Sequence, residues 1–340
     1  MSGWIRARTP LRISFGGGGS DVSPYCDQYG GAVLSTTINR FAYASLRPGG
    51  DVIQVRSIDY DVSVTYDLEE EFVFDGQLDL AKAVIDEFRR TYGLADGLEI
   101  RLHNDAPPGS GLGSSSAITI ALISALATHL RVPLDSYKLA ELAYRIERVD
   151  AGIPGGRQDQ YASAFGGVNF IEFEPHGATV VTPLRISQST LYELEYSLVF
   201  AHVGGSHVGG GIIDRQVANI RAQESDAVEA THRVKELASA MKRELLLGNL
   251  ERFGALLDEA WQSKRLMAEG ISNPRIDALY AAARKAGAFG GKISGAGGGG
   301  FMFFLADPEY RFAVQEAVAS HGGELVVLSL VAEGTTSWTT

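Results

Sequence analysis

The 340-residue sequence has almost no cysteine, since Cys26 is the only one. One thiol forms neither an internal disulfide nor a Cys-x-x-Cys metal site, which excludes a disulfide-stapled scaffold and zinc-ribbon chemistry. The chain is long enough to bury a large core without such cross-links, and its 45% hydrophobic residues are typical of globular proteins. We therefore expect a globular protein of a reducing compartment, the cytoplasm.

Positive charge is also scarce. The 30 Lys and Arg residues are outnumbered by 41 Asp and Glu, which gives a net charge of −11. No stretch is rich in Lys or Arg, whereas nucleic-acid-binding domains usually carry a basic patch. We expect no nucleic-acid partner, and an anionic ligand would have to be met by locally placed cations and backbone N–H groups.

Long hydrophobic runs are absent too. The longest uncharged run covers residues 117–130, which is shorter than the ~20 residues that a membrane-spanning helix needs. Residues 1–10 contain no hydrophobic segment of the kind that signal peptides carry. The sequence therefore predicts no membrane partner.

Hydrophobic periodicity predicts a mixed α+β chain with two domains. The predicted elements are strands at 11–15, 32–38, 43–47, 62–66, 98–102, 301–305 and 325–331, and helices at 78–92, 117–130 and 135–149. Asp135 is a plausible N-cap of the last of these helices. Residues 212–290 have the pattern of long helices with polar faces, and this change in composition predicts domains at 1–195 and 196–340.

Glycine is the residue type in excess, at 40 of 340 residues, or about 12% against a usual ~7%. The densest cluster lies at residues 107–117, with the sequence PPGSGLGSSSA. Glycines let successive backbone N–H groups converge on an anion, and the N-terminus of a following helix adds about half a positive charge. No Gly-Lys-Ser/Thr of a Walker loop occurs, nor does a Gly-x-Ser-x-Gly nucleophile elbow frame these serines. We interpret the run as an anion cradle; the alternative is a turn that merely caps a buried helix.

Three glycine motifs, in this order, resemble those of the GHMP kinases, a family named for galactokinase, homoserine kinase, mevalonate kinase and phosphomevalonate kinase. They are TPLRISFGGGGSD at residues 9–21, the run at 107–117, and KISGAGGGGF at 292–301. The resemblance implies an α+β GHMP kinase fold, with a ribosomal protein S5 domain 2-like N-terminal domain and a ferredoxin-like C-terminal domain. It also implies ATP and Mg²⁺ as cofactors, with ATP and the acceptor bound between the domains.

The resemblance assigns the nucleotide and metal contacts to the serine-rich loop and one glutamate. The ATP contacts would be Pro108, Gly109, Ser110, Gly111, Leu112, Gly113, Ser114, Ser115 and Ser116. Mg²⁺ would be held by Glu147 with Ser114 or Ser115, a sparse set that suits a cation bound mainly by phosphates and water. On a helix, Glu147 has no basic residue three or four positions away. The alternative for Glu147 is an exposed glutamate or one paired between the domains.

Asp159 and Arg12 are the catalytic residues that the resemblance implies. Galactokinase-like members carry Asp-Gln at this distance after the metal-binding glutamate, and that Asp contacts the acceptor hydroxyl; Arg12 matches the basic residue that pairs with it. Chemistry alone leaves Asp159 equally compatible with a turn. A positioned base contributes only about 10²–10⁴-fold, so charge neutralisation and alignment must supply most of the acceleration. We expect Asp159 to orient the acceptor and take its proton late.

The N-terminal motif carries the prediction for the acceptor. Galactokinases have GEHTD where this chain has GGGSD at residues 17–21, which argues against galactose. Within the family, this form most resembles the heptose 7-phosphate kinases, which phosphorylate the anomeric hydroxyl of D-glycero-D-manno-heptose 7-phosphate to give the 1,7-bisphosphate. The substrate contacts would be Gly17, Gly18, Gly19, Ser20, Asp21, Arg157, Gly295 and Gly297. An Asx turn or a helix cap is the alternative for Asp21.

The phosphate of such a sugar phosphate would need its own cations. Candidates are Arg157, Lys292, Arg215 and the glycine-rich loop at 204–211, while His202 and His207 lack the spacing of metal ligands. Two other functions stay open: a GHMP kinase for another sugar or small alcohol, and a non-catalytic sensor of ATP and sugar. The sensor is less favoured because Asp159 and Glu147 are both present. A homodimer is also left open.

Overall fold

The structure is a computed structural model and describes residues 3–107, 109–175, 177–205 and 209–340. The strands are β1 (Ile5–Gly16), β2 (Gly31–Pro48), β3 (Val52–Ser57), β4 (Val62–Asp67), β5 (Leu98–Asn104), β6 (Asn169–Phe173), β7 (Thr179–Pro183), β8 (Leu198–His202), β9 (Ala288–Ile293), β10 (Phe301–Ala306), β11 (Glu324–Val326), β12 (Leu330–Val331) and β13 (Thr336–Thr339). The helices are α1 (Tyr25–Tyr29), α2 (Asp79–Tyr92), α3 (Ser114–Leu130), α4 (Ser136–Tyr144), α5 (Gln158–Phe165), α6 (Gln188–Ser197), α7 (Gly209–Arg221), α8 (Ser225–Leu247), α9 (Leu250–Arg265), α10 (Pro274–Lys285) and α11 (Arg311–Ser320). A π-helical turn (Arg145–Asp150) follows α4.

The first sheet is built around the long antiparallel pair β1 and β2. In the described part of the chain it has nine strands, in the order β13-β1-β2-β5-β3-β4, with β12 and the β6–β7 pair also attached to β2. Helix α3 packs across β1 and β2. It is apolar on nearly all sides, which matches its position inside the domain. The packing places the loop before α3 beside the middle of β1.

The second sheet has the strand order β11-β8-β10-β9, with antiparallel pairs. This is the order expected for a ferredoxin-like domain. Strand β10 is buried along its whole length because alternate side chains enter two cores. Phe301 and Phe303 face the core shared with the first sheet, whereas Met302 and Phe304 face α10 and α11.

The shared core fixes the two sheets relative to each other. Phe15 of β1 lies edge-on to Phe253 of α9 and to Phe303 of β10, with ring centroids 5.3 Å and 5.8 Å apart. Such pairs add to the hydrophobic contribution of the buried rings. This core therefore fixes the position of β1, the strand that carries Arg12, relative to α9.

Two boundaries differ from the sequence prediction near the site. Helix α3 begins at Ser114 rather than at 117, so the three serines form its first turn. The helix predicted at 135–149 ends at Tyr144 and continues as the π-helical turn. Asp135 does cap α4, since its carboxylate accepts the Lys138 N–H at 2.8 Å.

The strand predicted at 325–331 is wrong as a single element. Its first part, β11, pairs with β8 in the second sheet, and its second part, β12, pairs with β2 in the first sheet. The chain crosses between the sheets near Val327, which is 85% exposed. Strand β13 then pairs with β1. An apolar run suits either sheet, so the hydrophobic pattern of residues 325–331 does not reveal the crossing. The division of the chain into two domains at residue 195 stays a prediction.

None of the described helices combines the length and the apolarity required to cross a bilayer.

Candidate active site

A polar cleft of about 370 Å³ lies where the loops of the two sheets meet. Parts of all three glycine motifs line it, together with Asp159, Arg148 and Lys264. A second pocket, of about 430 Å³, lies between α2, α3 and the β3–β5 region, and its wall is rich in leucine and isoleucine. The two spaces share Gly109, Ser114, Ser115 and Ile153. The serine-rich loop therefore separates a polar compartment from an apolar one.

The serine-rich loop presents the N-terminus of α3 to the cleft. The first turn of this helix contains no acidic residue of its own, and its backbone N–H groups and partial positive charge favour an anion at this point. Gly109, Gly111, Gly113, Ser114, Ser115 and Ser116 line the cleft. Ser110 and Leu112 are fully buried and lie outside this lining, so their assignment as ATP contacts stays a prediction. Pro108, also predicted as an ATP contact, lies outside the described residues.

Gly111 joins this loop to the last glycine motif. Its φ is +76°, and a Cβ built on it would collide with the carbonyl oxygen of Ser294. The backbones of the two motifs touch there, and the Phe301 N–H donates to the Ser110 oxygen at 3.0 Å. The loop before α3 is thereby held against the loop between β9 and β10 of the second sheet.

Replacing Gly111 tests that contact. Gly111→Ala should lower the free energy of unfolding by about 1–2 kcal/mol for the left-handed backbone and by roughly 1–3 kcal/mol more for the collision with Ser294. Gly93 is a matched control, because its φ is +72° but nothing lies within 4 Å of its built Cβ. Urea unfolding of both variants isolates the contact. Equal destabilisation by the two substitutions would contradict the contribution of this contact.

Arg12 and Asp159 are in contact at the centre of the cleft. Arg12 is almost completely buried, and its Nε and Nη2 lie 2.7 Å and 2.6 Å from Asp159 Oδ1. Its Nη1 donates to the Gly111 oxygen at 2.6 Å and to Ser294 Oγ at 3.3 Å. Asp159 keeps a fifth of its side chain exposed to the cleft. Arg12 therefore links the Asp159 carboxylate to the serine-rich loop, through Gly111, and to the last glycine motif, through Ser294.

Asp21 lies in the cleft wall, but its carboxylate already has protein partners. It accepts the Gly19 N–H at 2.9 Å, and the Gln158 N–H and side-chain amide at 3.1 Å each. Asp21 thus holds the first turn of α5, which carries Asp159. The helix-cap alternative is close to what the structure shows, except that the helix is α5 and not the one that follows Asp21 in sequence.

The rest of the first glycine motif is mainly structural. Gly19 lines the cleft, whereas Gly17, Gly18 and Ser20 lie outside the lining. Ser20 Oγ is buried and donates to the Gly17 oxygen at 2.7 Å, and the Ala32 N–H donates to it at 3.1 Å. Gly17 and Ser20 therefore help to fold the loop, and the assignment of Gly17, Gly18 and Ser20 as substrate contacts stays a prediction. From the last motif, Gly295 and Gly297 do line the cleft.

Glu147 is a fully buried carboxylate in the π-helical turn. Burial raises its pKa, against the lowering effects of Arg148, Ser116 and Gln160. Oε2 accepts from Ser116 Oγ at 2.8 Å and from Gln160 Nε2 at 2.7 Å, and lies 3.2 Å from the Arg148 guanidinium. The hydroxyl that Glu147 binds belongs to Ser116, rather than to Ser114 or Ser115.

The residues around Glu147 fit one hard cation. Glu147 Oε1 is buried and accepts no hydrogen bond from the described residues; the nearby Thr119 hydroxyl donates to the Ser115 oxygen instead, so Oε1 is left as an acceptor for a metal ion. The first turn of α3 supplies hydroxyls beside it. Within the described ranges, no group of three or more His, Cys, Asp or Glu side chains could hold a metal. The donor set therefore suits Mg²⁺ with phosphate and water ligands and not an all-protein site.

The cations predicted for a sugar's own phosphate lie outside the cleft. Arg157 pairs with Asp27 at 3.1 Å and lies over the Tyr144 ring. Lys292 donates to the Ser14 oxygen at 2.7 Å, and Arg215 is exposed. Of the predicted loop at 204–211, Gly205 lines the cleft, and residues 206–208, His207 included, lie outside the described residues.

Sequence reasoning missed two features, the apolar pocket and Lys264. Lys264 lies on α9 and is 4% exposed, and its Nζ donates to the Gly295 oxygen at 2.6 Å. A signal was available, because 257, 260, 261 and 264 form one helical stripe in which lysine is the exception to buried apolar residues. The apolar pocket is assembled from distant segments, and no local motif marks it.

Comparisons with known proteins agree with this geometry. The model of the GHMP kinases N terminal domain matches residues 79–167, and that of the GHMP kinases C terminal matches residues 237–324. The chain is also 37% identical over 338 residues, 98% of each chain, to the D-glycero-alpha-D-manno-heptose 7-phosphate kinase of Campylobacter jejuni. The chain belongs to the GHMP kinase family.

Solved structures support the same membership. A D-glycero-D-manno-heptose 1-phosphate kinase from Bacteriodes thetaiotaomicron is 34% identical to this GHMP kinase, with a TM-score of 0.84 and 99% of each chain covered. The galactokinase of Lactococcus lactis has a TM-score of 0.79 over 99% of this chain and 95% of that chain, at 19% identity, and shows the fold alone. The expected fold class and kinase activity are therefore confirmed. GHMP kinases are ATP-dependent, which makes ATP the expected phosphoryl donor.

Proposed function

We propose that this GHMP kinase transfers a phosphoryl group from ATP to the anomeric hydroxyl of a sugar phosphate, D-glycero-D-manno-heptose 7-phosphate, in the cytoplasm. The observation that carries the proposal is the contact of Arg12 with Asp159 beside the N-terminus of α3. The choice of acceptor rests on the GGGSD form of the first motif and on the two heptose phosphate kinases that the chain resembles over nearly its whole length.

The apolar pocket and the polar cleft match the two parts of ATP, its base and its triphosphate. We assign the adenine to the apolar pocket, whose wall includes Leu80, Ile118 and Leu122. The triphosphate then passes the shared residues Gly109, Ser114 and Ser115 and reaches the N-terminus of α3. Backbone N–H groups and the helix dipole at that point favour an anion. This arrangement leaves the terminal phosphate on the side of the cleft that holds Asp159.

Asp159 and Arg12 have different roles in this proposal. The Asp159 carboxylate accepts the hydrogen bond of the anomeric hydroxyl, aligns its oxygen for in-line attack on the γ-phosphorus, and takes the proton as the new P–O bond forms and the bond to ADP breaks. Arg12 fixes the carboxylate through two nitrogens and adds positive charge where charge develops. Alignment and charge carry the larger share of the acceleration.

Glu147 and the first turn of α3 would hold Mg²⁺. When bound, the ion neutralises charge on the phosphate oxygens. Glu147 Oε1 offers the free acceptor, and Ser114 or Ser115 offers a hydroxyl at the edge of the cleft. Ser116 and Gln160 orient the carboxylate from its other oxygen.

Glu147→Gln tests that assignment. The amide keeps the shape and the contacts of Oε2 but removes the anionic charge, so turnover at low Mg²⁺ should fall by about 10²–10³-fold and recover in part at high Mg²⁺. Thermal unfolding without metal should show some loss of stability, because Arg148 loses the charge of its buried partner; the test is therefore the change in Mg²⁺ dependence. Unchanged Mg²⁺ dependence would contradict the role of Glu147.

An acceptor panel tests the proposed function as a whole. ADP release is measured with heptose 7-phosphate, unphosphorylated heptose, galactose, mevalonate and homoserine at equal concentrations. We expect the heptose 7-phosphate to give a kcat/KM at least tenfold above the others. Preference for mevalonate or homoserine would establish the alternative acceptor class, and ATP binding without ADP release from any acceptor would establish the sensor.

A further inference from the structure

Lys264 is a buried cation in the cleft wall that the proposed chemistry does not use. Its Nζ donates to the Gly295 oxygen, and no carboxylate of the described residues lies within ion-pair distance of it. An ammonium group has three donors. Two N–H bonds of a side chain that is almost fully buried are therefore left without a protein acceptor in the described part of the chain.

The charged groups around Lys264, counted with Lys264 itself, leave an excess of positive charge when no ligand is bound. Arg12 on β1 and Lys292 on β9 face it as cations, while Asp21 in the first glycine motif and Asp159 on α5 face it as anions. Burial lowers the pKa of Lys264 to about 8; Arg12 adds to the lowering, and Asp21 and Asp159 oppose it. Both anions already bind protein donors. A buried ammonium with such neighbours has a high affinity for a further anion.

The position of Lys264 favours the acceptor end of the cleft over the nucleotide end. It contacts the first and the last glycine motifs: its Nζ binds the Gly295 oxygen, and a Cβ built at Gly18 would lie 3.7 Å from that Nζ. Gly19 and Gln216 line the adjoining wall. The serines of α3 lie in the part of the cleft that continues into the apolar pocket.

The other cations of the cleft are already committed. Among the described residues that line it, Arg12 binds Asp159, and Arg148 binds Glu147 and the oxygens of Ile153 and Gly156. Lys264 is the remaining cation of this lining, and its two available donors match the oxygens of a phosphate monoester.

We propose that Lys264 binds the phosphate that the acceptor sugar already carries and thereby selects phosphorylated over free sugar. This inference rests on the proposed function. It assigns the choice of a phosphorylated acceptor to a residue outside the three glycine motifs. It also makes the second domain contribute to acceptor choice, because α9 belongs to the part of the chain that follows the first two motifs.

The test is Lys264→Gln, with Lys285→Gln as matched control, since Lys285 is an exposed residue of α10 in the same domain. KM and kcat are measured for heptose 7-phosphate, for unphosphorylated heptose and for ATP. We expect K264Q to raise KM for the sugar phosphate by about 10–100-fold, with less than threefold change in kcat, in KM for ATP and in kcat/KM for the free sugar. K285Q should behave as the wild type.

The wild type supplies a second arm that needs no variant. The sugar phosphate stays a dianion above pH 7, because its second pKa is about 6, while Lys264 loses its proton as the pH rises through about 8. We expect kcat/KM for the sugar phosphate to fall between pH 7.5 and 9.5, and kcat/KM for the free sugar to change less than threefold.

Each failure has its own signature. Wild-type turnover of heptose 7-phosphate with an unchanged KM in K264Q overturns the inference and leaves the proposed function standing. A raised KM for ATP, or equal losses of kcat with both sugars, also overturns it, since Lys264 would then act on the nucleotide or on the transferred group. A wild type that accepts no sugar phosphate overturns the inference together with the proposed function.

Discussion

Asp159→Asn should reduce kcat by at least about 10³-fold while the affinity for ATP changes less than threefold. The base contribution alone is about 10²–10⁴-fold, and the amide also weakens the pair that Arg12 forms through two nitrogens. The nucleotide contacts assigned to the α3 loop and the apolar pocket do not include Asp159, so ATP binding should survive. Single-turnover kinetics and calorimetric titration with an ATP analogue measure the two quantities.

The matched control is Asp27→Asn. Asp27 also forms an ion pair with an arginine, Arg157, at 3.1 Å, but this pair lies outside the cleft lining. We expect kcat within threefold of the wild type. Near-normal turnover in the Asp159 variant would remove this carboxylate from the mechanism, and a comparable loss in the Asp27 variant would show that any broken ion pair has the same effect.

Arg12→Lys should lower kcat by about 10²–10³-fold, the usual effect of losing one well-placed donor. Lysine keeps the charge, but a point charge cannot bind Asp159, the Gly111 oxygen and Ser294 Oγ at the same time. The buried acceptors that lose their donor should also cost about 1–3 kcal/mol of stability. Steady-state kinetics and urea unfolding test both parts.

Arg145→Lys is the control for that substitution. Arg145 binds Glu87 and Asp150 at 2.6 Å and 3.2 Å, so it also bridges two groups, yet it lies away from the cleft. We expect unchanged kcat and only a small loss of stability, because its side chain is 43% exposed. Wild-type kcat in Arg12→Lys would contradict the bridging role of the guanidinium.

The sequence reveals the parts of this site that depend on backbone chemistry. A run of glycines and serines before an uncharged helix can be recognised as an anion cradle, because local conformation alone aims its N–H groups. The proximity of Arg12 and Asp159 follows from the family resemblance and not from their separation of 147 residues. The structure places them in contact, while their catalytic roles remain a proposal.

Other parts of the site depend on long-range packing and could not be predicted in this way. Asp21 and Ser20 carry polar groups suited to a sugar, but the fold uses them to hold α5 and the glycine loop. The crossing of the chain between β11 and β12 leaves no local pattern. Lys264 is the opposite case, since a lysine inside an apolar helical stripe is visible in the sequence even though its neighbours are not.

The most direct test of the central claim is ³¹P and ¹H NMR of the wild-type reaction with heptose 7-phosphate, ATP and Mg²⁺. We predict ADP in equal amount to a new phosphomonoester whose phosphorus couples to the anomeric proton, with the 7-phosphate signal retained. A new ester on any other carbon, or ADP accompanied only by inorganic phosphate, would contradict phosphoryl transfer to the anomeric hydroxyl.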